Sequence, residues 1–217
     1  MSRSPSATTI ALFGATGRTG KHVLDQALDA GYHVRALARR PAAISRRSDR
    51  LLVIEGDVLD RTAVAETVRG ADVVVSVFGQ VKGSPPTLQT EGTQLIVDAM
   101  ETGDIRRIIS LSGGGLPAEG YDKPKLADVI IRSLLKLLAP QVLADAKGHL
   151  EVLERSGREW TVVRGPRLTD APATGTYRVG WVGVDASTQI ARADLARFIL
   201  TQIDDRTFIQ QLPFVSR

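Results

Sequence analysis

Residues 10–40 read IALFGATGRTGKHVLDQALDAGYHVRALARR, and the fold is decided within them. Ile10-Ala11-Leu12-Phe13, with Thr8-Thr9 before it, is a short β-rich apolar run that stops in Gly14-Ala15-Thr16-Gly17-Arg18-Thr19-Gly20. From Lys21 the period changes. Val23, Leu24, Ala27 and Leu28 recur at helical spacing, and Ala30-Gly31 ends the pattern. His33 to Ala38 then alternates with period two, which predicts a second strand.

A strand, a glycine turn, a helix and a strand in that order suit one chemistry above others. The first N–H groups of a helix have no partners and carry a partial positive charge, so a turn that lets a pyrophosphate approach them makes an anion site. Glycine is needed because a Cβ would hold the phosphates away or block the turn. Gly14, Gly17 and Gly20 are spaced by three and depart from GxGxxG, so the order of the surrounding elements carries the reading more than the spacing does. Gly14, Thr16, Gly17, Arg18, Thr19 and Gly20 are therefore the expected phosphate turn of a dinucleotide site.

The second strand selects the dinucleotide. An NAD site places an Asp or Glu roughly 20 residues on, to bind the ribose hydroxyls. Val34 to Arg39 contains no carboxylate, and Arg39 and Arg40 stand in its place. A guanidinium holds a 2′-phosphate by two charge-assisted hydrogen bonds, and Arg18 is expected to add charge from the other side. NADP(H) is the expected cofactor.

Working outward, an arginine-rich loop (Arg39, Arg40, Arg46, Arg47, Arg50 against Asp49) leads to a third strand at Leu51 to Glu55. A helix from Thr62 to Val68 precedes Ala71 to Val77, a continuous apolar run of the kind a strand buried on both faces shows. Leu88 to Met100 reads as a helix and Arg107 to Leu111 as a fifth strand ended by Gly113-Gly114-Gly115. Gln141 to Arg155 is a helix stopped at Ser156-Gly157, and Trp160 to Arg164 a sixth strand. Late strands are expected at 176–184 and 207–214, flanking a helix near 192–202. Such alternation gives right-handed crossovers and a doubly wound parallel α/β sheet, Rossmann-like, as a single domain over residues 1–217. A small C-terminal substrate lobe and a flexible leader over 1–7 complete the expectation.

Composition narrows the function. Hydrophobic residues at 43% and charged residues at 24% exclude wholesale disorder. The absence of Cys excludes disulfides, thiolate nucleophiles and Cys-ligated metal centres. No apolar run approaches the roughly 18 residues of a membrane span and no signal segment follows Met1, so a cytoplasmic protein without a membrane partner is expected. A net charge of +4 and 5% aromatic residues offer little to nucleic acid. His22, His33 and His149 are dispersed, so no metal site is expected, and Ser112 lies in Leu-Ser-Gly-Gly-Gly, which lacks the GxSxG elbow of a serine hydrolase.

The stretch Ile10 to Arg40 resembles the start of the atypical short-chain dehydrogenase/reductases that include NmrA-like proteins and the biliverdin-IXβ/flavin reductases. Glu55-Gly56-Asp57-Val58, Ile109 to Gly113, Leu153-Glu154-Arg155-Ser156-Gly157 and Trp160 to Arg164 extend the resemblance, with matching segments to about Val184. The resemblance implies that Asp57 and Val58 flank the adenine, that Phe78 and Gly79 lie along the cofactor's ribose, and that Ser112 sits near the nicotinamide. It places the backbone of Gly165 and Pro166 at the carboxamide end. The implied activity is an NADPH-dependent oxidoreductase passing hydride to a planar small-molecule acceptor such as a flavin, a bilin or a quinone. NmrA-like members supply the alternative, a non-catalytic NADP(H)-sensing regulatory protein.

A proton donor is harder to find. The main short-chain dehydrogenases use a Ser with a Tyr and a Lys four residues later on one helix face. Tyr121-Asp122-Lys123-Pro124-Lys125 fits that spacing, but Pro124 is tolerated only in a helix's first turn, so the pair is not expected to act. Lys147 with Glu151 matches a Lys-x-x-x-Glu pattern of many atypical members, and there the partner Tyr falls on Leu143. Ser112 and Lys147 are the catalytic candidates that remain. A missing acid suits an acceptor that takes its proton from water, and suits equally a protein that only binds the cofactor. His149 reads as structural or solvated. The apolar amphipathic stretch Tyr121 to Ala139 reads as a core helix, as a cover for the cofactor's active end, or as a dimer surface, which leaves monomer and homodimer both open.

Overall fold

Parallel strands need crossovers, and α-helices supply them in five of this chain's connections between strands. A computed structural model describes residues 7–217 and, within 126–138, the side chains of all positions but 127, 131, 132, 135 and 136. The leader expected over residues 1–7 lies, up to position 6, outside the described residues. The elements are β1 (Thr9–Phe13), α1 (Arg18–Asp29), β2 (His33–Ala38), β3 (Leu51–Glu55), α2 (Arg61–Val68), β4 (Val73–Ser76), α3 (Leu88–Thr102), β5 (Arg107–Gly113), α4 (Leu126–Leu138) and α5 (Pro140–Arg155). They continue through β6 (Glu159–Gly165), β7 (Arg167–Thr169), β8 (Arg178–Gly180), β9 (Gln189–Ala191), α6 (Arg192–Thr201) and β10 (Phe214–Ser216). The five helical connections are β1–β2, β3–β4, β4–β5, β5–β6 and β9–β10.

Eight strands form one sheet in the order β3-β2-β1-β4-β5-β6-β10-β8, and only β8 runs antiparallel to its neighbour. The doubly wound architecture is therefore Rossmann-like. The chain winds outward from β1 through β2 to β3, then returns to lay β4 on the other side of β1. That reversal opens a crevice beyond the carboxyl ends of β1 and β4, where open α/β sheets bind ligands.

The apolar runs are explained by cover on both faces. Ile10 and Leu12 pack with Val23, Leu195 and Ile199 of α1 and α6, whereas Ala11 and Phe13 pack with Ile96, Met100 and Leu153 of α3 and α5. A strand so placed has no solvated side, and strict polar alternation is lost.

The ends of the sequence reading need correction. Only Arg178–Gly180 of the stretch 176–184 is a strand, and Trp181 to Val184 turns back on itself through Gly183 at φ 81°. The last strand begins at Phe214 and not near 207, because the chain turns through Gln210 at φ 56° before Pro213, which has no N–H to give a ladder. β7 and β9 form a separate two-stranded parallel sheet, each strand being three residues long and too short to leave a period in the sequence. α5 starts at Pro140, whose missing N–H costs nothing at a first helical position. Among the described residues no helix is long and apolar enough to cross a membrane.

Candidate functional site

The glycine turn is held by its own backbone. Gly14 has φ 89°, and a Cβ there would lie 2.6 Å from the Phe78 amide nitrogen. The Gly17 N–H donates to the Gly14 carbonyl at 3.0 Å, and a Cβ on Gly20 would run into that same carbonyl. Thr19 and Gly20 are accordingly buried in the first turn of α1. Gly17 caps α1 with extended backbone, no side chain caps its free amides, and no acidic residue occupies the first turn. An anion-binding helix start requires those conditions.

A cleft of about 200 Å³ opens beside this turn. Gly14, Thr16 and Gly17 line one side, Arg39, Asp57 and Val58 another, and Phe78 and Gly79 the side under β4. Arg39 Nε stands 3.8 Å from Asp57 Oδ2, and both side chains are well exposed. This weak surface pair leaves the guanidinium's other donors available. Val81, Ser84 and Leu88 also line the cleft. Val81 and Ser84 come from the irregular loop after β4, which gives no periodic signal, and Leu88 is the first residue of α3; the sequence reading did not place these three at the site.

Two expected cations turn elsewhere. Arg40 is exposed, starts the short 3-10 turn at Pro41–Ala43, and lies outside the cleft lining. Arg18 does not face Arg39 across the cleft. It pairs with Asp170 after β7, and Asp170 also receives Arg192 at 2.8 Å from the start of α6.

A second cavity, of about 360 Å³, lies where β5 and β6 end. Gly113, Gly114, Gly165 and Pro166 form its backbone-rich floor, and Val182 and Phe214 its apolar wall. Ser112 is the residue just before that lining. It is buried, and its hydroxyl has no hydrogen-bond partner among the described residues. Strand alternation puts it on the same face as Ser110, whose Oγ is 2.8 Å from His149 Nε2. His149 is 1% exposed, and burial drives its pKa down from 6.5 to about 4, so the ring is neutral and structural.

The cavity at the ends of β5 and β6 is backed by a buried ion pair that the sequence reading also missed. Arg164 is fully buried. It donates to both carboxylate oxygens of Asp122, at 2.8 and 2.9 Å, and to the Leu116 and Leu212 carbonyls. Asp122 in turn accepts the Ala118 and Val182 N–H groups. Burial raises the Asp122 pKa, but the Arg164 and backbone hydrogen bonds outweigh it and hold the carboxyl below its ordinary range. An arginine inside the apolar run Thr161 to Gly165 was the available signal, since a cation there demands a carboxylate. Asp145 on α5 is a comparable case. It accepts the Gln89 and Thr90 N–H groups at 2.9 Å each and the Gln80 amide at 2.7 Å, capping α3 from a different helix.

Lys147 is not at either cavity. Its side chain is 75% exposed with Nζ 3.8 Å from Glu151 Oε1, and it lines a separate hollow between α5 and residues 115–119 that Tyr121 shares. The two catalytic candidates, Ser112 and Lys147, are thus not brought together. Tyr121 stacks on Trp181 with ring centroids 4.3 Å apart, in the turn before α4, and no helix joins it to Lys125.

The model of an NAD(P)H-binding family matches residues 14–206. The chain belongs to this family. It is a family of NAD(P)-binding oxidoreductases with the Rossmann fold seen here. The uncharacterized protein YwnB of Bacillus subtilis is 23% identical over 202 residues, covering 90% of this chain and 92% of its own. The (4-alkanoyl-5-oxo-2,5-dihydrofuran-3-yl)methyl phosphate reductase of Streptomyces griseus is 28% identical over 71% of this chain, which spans 46% of that relative's length. Among solved structures, a short-chain dehydrogenase/reductase of Veillonella parvula in complex with NADP superposes with a TM-score of 0.76, at 21% identity, covering 97% of this chain and 94% of that one. The anaerobilin reductase ChuY of Escherichia coli O157:H7 gives 0.76 at 21% identity, covering 96% and 97%. At such identity these likenesses speak to the fold, and the atypical short-chain reductase resemblance of the sequence agrees with them.

Proposed function

We propose that the protein is a cytoplasmic NADPH-dependent reductase that passes hydride to a flat conjugated acceptor, a flavin, bilin or quinone. The observation that carries this is the pairing of an anion-ready glycine turn and Arg39 at one end of the sheet's carboxyl edge with a glycine-floored cavity at the other. In this reading the free amides of the Gly14 to Gly20 turn hold the pyrophosphate and Arg39 holds the 2′-phosphate, with Arg40 on the outer side of the same loop. Asp57 and Val58 bound the adenine, Phe78 and Gly79 the ribose, and the Gly165 and Pro166 backbone the carboxamide. Ser112, unpartnered beneath the end of β5, positions the nicotinamide end and is not a proton donor. Lys147 faces away and has no part in the chemistry. The cofactor, when bound, supplies the hydride, and the acceptor's further proton comes from water. The substrate named for the Streptomyces relative, an oxo-dihydrofuran bearing an alkanoyl group, is likewise a flat conjugated ring, and ChuY is named for a bilin.

The absence of an acid among the residues lining the acceptor-end cavity, apart from Asp128 at the start of α4, keeps one second reading alive, the NADP(H)-sensing regulator. Anaerobic mixing of the protein with NADPH and a panel of flavin, bilin and quinone acceptors separates them. Protein-dependent NADPH oxidation is expected with at least one class. A panel in which no acceptor stimulates oxidation, with NADPH still bound, favours the regulator.

A further inference from the structure

The cavity at the ends of β5 and β6 has one feature that a purely apolar ring site would not need. Three arginines of the surrounding segments are satisfied by carboxylates: Arg164 by Asp122, and Arg18 and Arg192 by Asp170. Arg167, the first residue of β7, lines the cavity, is exposed, and makes no ion pair among the described residues. Its guanidinium has one neutral partner, the Gln189 side-chain oxygen at 2.8 Å. A guanidinium has five donors, so Arg167 keeps an unused fork directed by a neutral residue.

The floor opposite carries no side chains at Gly113 and Gly114. A Cβ on Gly113 would meet nothing within 4 Å, so the space above this residue is open. At Gly114 a Cβ would come within 2.9 Å of both the Gly165 carbonyl and the Phe214 ring, so backbone and ring are closely apposed there. Phe214 is fixed from behind by the Arg164 guanidinium, 5.7 Å from its centroid. The other charged group lining the cavity is Asp128, whose Oδ2 accepts the Lys125 N–H at the start of α4. The cavity therefore has a glycine-backbone floor without side chains and an apolar wall, with one positive and one negative group in its lining.

We infer that this cavity is an acceptor subsite for flat conjugated molecules carrying an anionic arm, a phosphate or a carboxylate, with the ring over Gly113 and Gly114 and the anion on Arg167, turned from Asp128. The inference rests on the reductase reading for the word acceptor, but the binding it describes does not require turnover. Arg167 is on this account a specificity residue. It selects among rings of equal shape by what hangs from them, because a bidentate guanidinium contact strengthens only when the partner is charged.

Three flavins with one ring system make the test: riboflavin, which is neutral, flavin mononucleotide, which adds a phosphate, and carboxymethylflavin, which adds a carboxylate. Their affinities are measured by flavin fluorescence quenching with the protein saturated by NADP+, and NADPH oxidation is followed anaerobically in parallel. At least one anionic flavin is expected to bind about tenfold more tightly than riboflavin, and Arg167→Ala should erase that preference while leaving riboflavin affinity in place. Which anionic flavin gains tells phosphate from carboxylate. Gly113→Leu, which grows into open space on a residue of ordinary φ, should weaken all three by roughly tenfold or more while NADP+ binding is kept by the glycine turn. Equal affinity for the three flavins, a preference indifferent to Arg167→Ala, or no flavin binding would each overturn the inference. Arg167-dependent binding without any NADPH oxidation would leave it standing and sink the reductase reading instead.

Discussion

The two cavities along the sheet's carboxyl edge are built by different means. At the nucleotide end Gly14, Thr16 and Gly17 lie within one turn, and the hydrogen bond that closes it joins residues three apart. Behind the cavity at the ends of β5 and β6 a single buried guanidinium, Arg164, reaches Leu116 and Asp122, 48 and 42 residues away, and Leu212, 48 residues the other way. A glycine turn closed by its own consecutive backbone tolerates change elsewhere in the molecule, even though Arg39, Asp57 and Phe78 complete the cleft from other segments. A site made of distant segments depends on each tie, because one missing partner leaves a buried charge.

The sharpest way to break this contrast is Arg164→Met. It leaves the Asp122 carboxylate buried with its cation gone, and should cost about 3–5 kcal/mol in urea unfolding, whereas Arg164→Met with Asp122→Leu should recover most of it. The nucleotide end should keep its NADP+ affinity in whatever fraction stays folded. A single variant as stable as the wild type would show that the cavity at the ends of β5 and β6 does not hang on this pair.

A smaller effect probes the support beneath β5. The folded-state pKa of His149, about 4, lies below the ordinary 6.5, so folding favours the neutral ring. The stability this contributes is complete above pH 6.5 and is lost as pH falls toward about 4, a change of about 3 kcal/mol over the interval. His149→Gln keeps a hydrogen-bonding group near Ser110 and should flatten that part of the stability profile. Urea midpoints at about pH 7 and about pH 5 measure it, and an unchanged slope in the variant would assign the acid sensitivity to another group.

The smallest effect sharpens the nucleotide end. Arg39→Ala should reduce the preference for NADPH over NADH by about tenfold, about 1.4 kcal/mol, in calorimetric titrations. Arg40→Ala should change it less, since Arg40 stands outside the cleft lining. A larger loss from Arg40 than from Arg39 would mean that the arginine loop rearranges around the phosphate.

Legibility followed the range of the interactions. The first strand, turn, helix and second strand are readable in the sequence to within three residues, the largest difference being the helix start at Arg18 in place of Lys21, because strand burial and helix periodicity repeat within a few positions. β7 and β9 were not, since a three-residue strand has no room for a period. Arg18 was assigned to the 2′-phosphate from its place in the turn, but its side chain follows Asp170, 152 residues away. Lys147 was assigned to the site from a helix pattern, and the rotation of α5 turned it outward while burying Asp145 and His149.

By itself the sequence determined the glycine turn, the alternation that makes a doubly wound sheet, and the lack of a carboxylate at the end of the second strand, all consequences of backbone freedom and local hydrophobic spacing. The tertiary structure alone decided which charges meet: Arg164 with Asp122, Arg18 and Arg192 with Asp170, and Arg167 with no carboxylate among the described residues. The physical reason is that an ion pair needs two side chains within a few ångströms, and the chain folds residues dozens of positions apart into that distance without marking either of them locally.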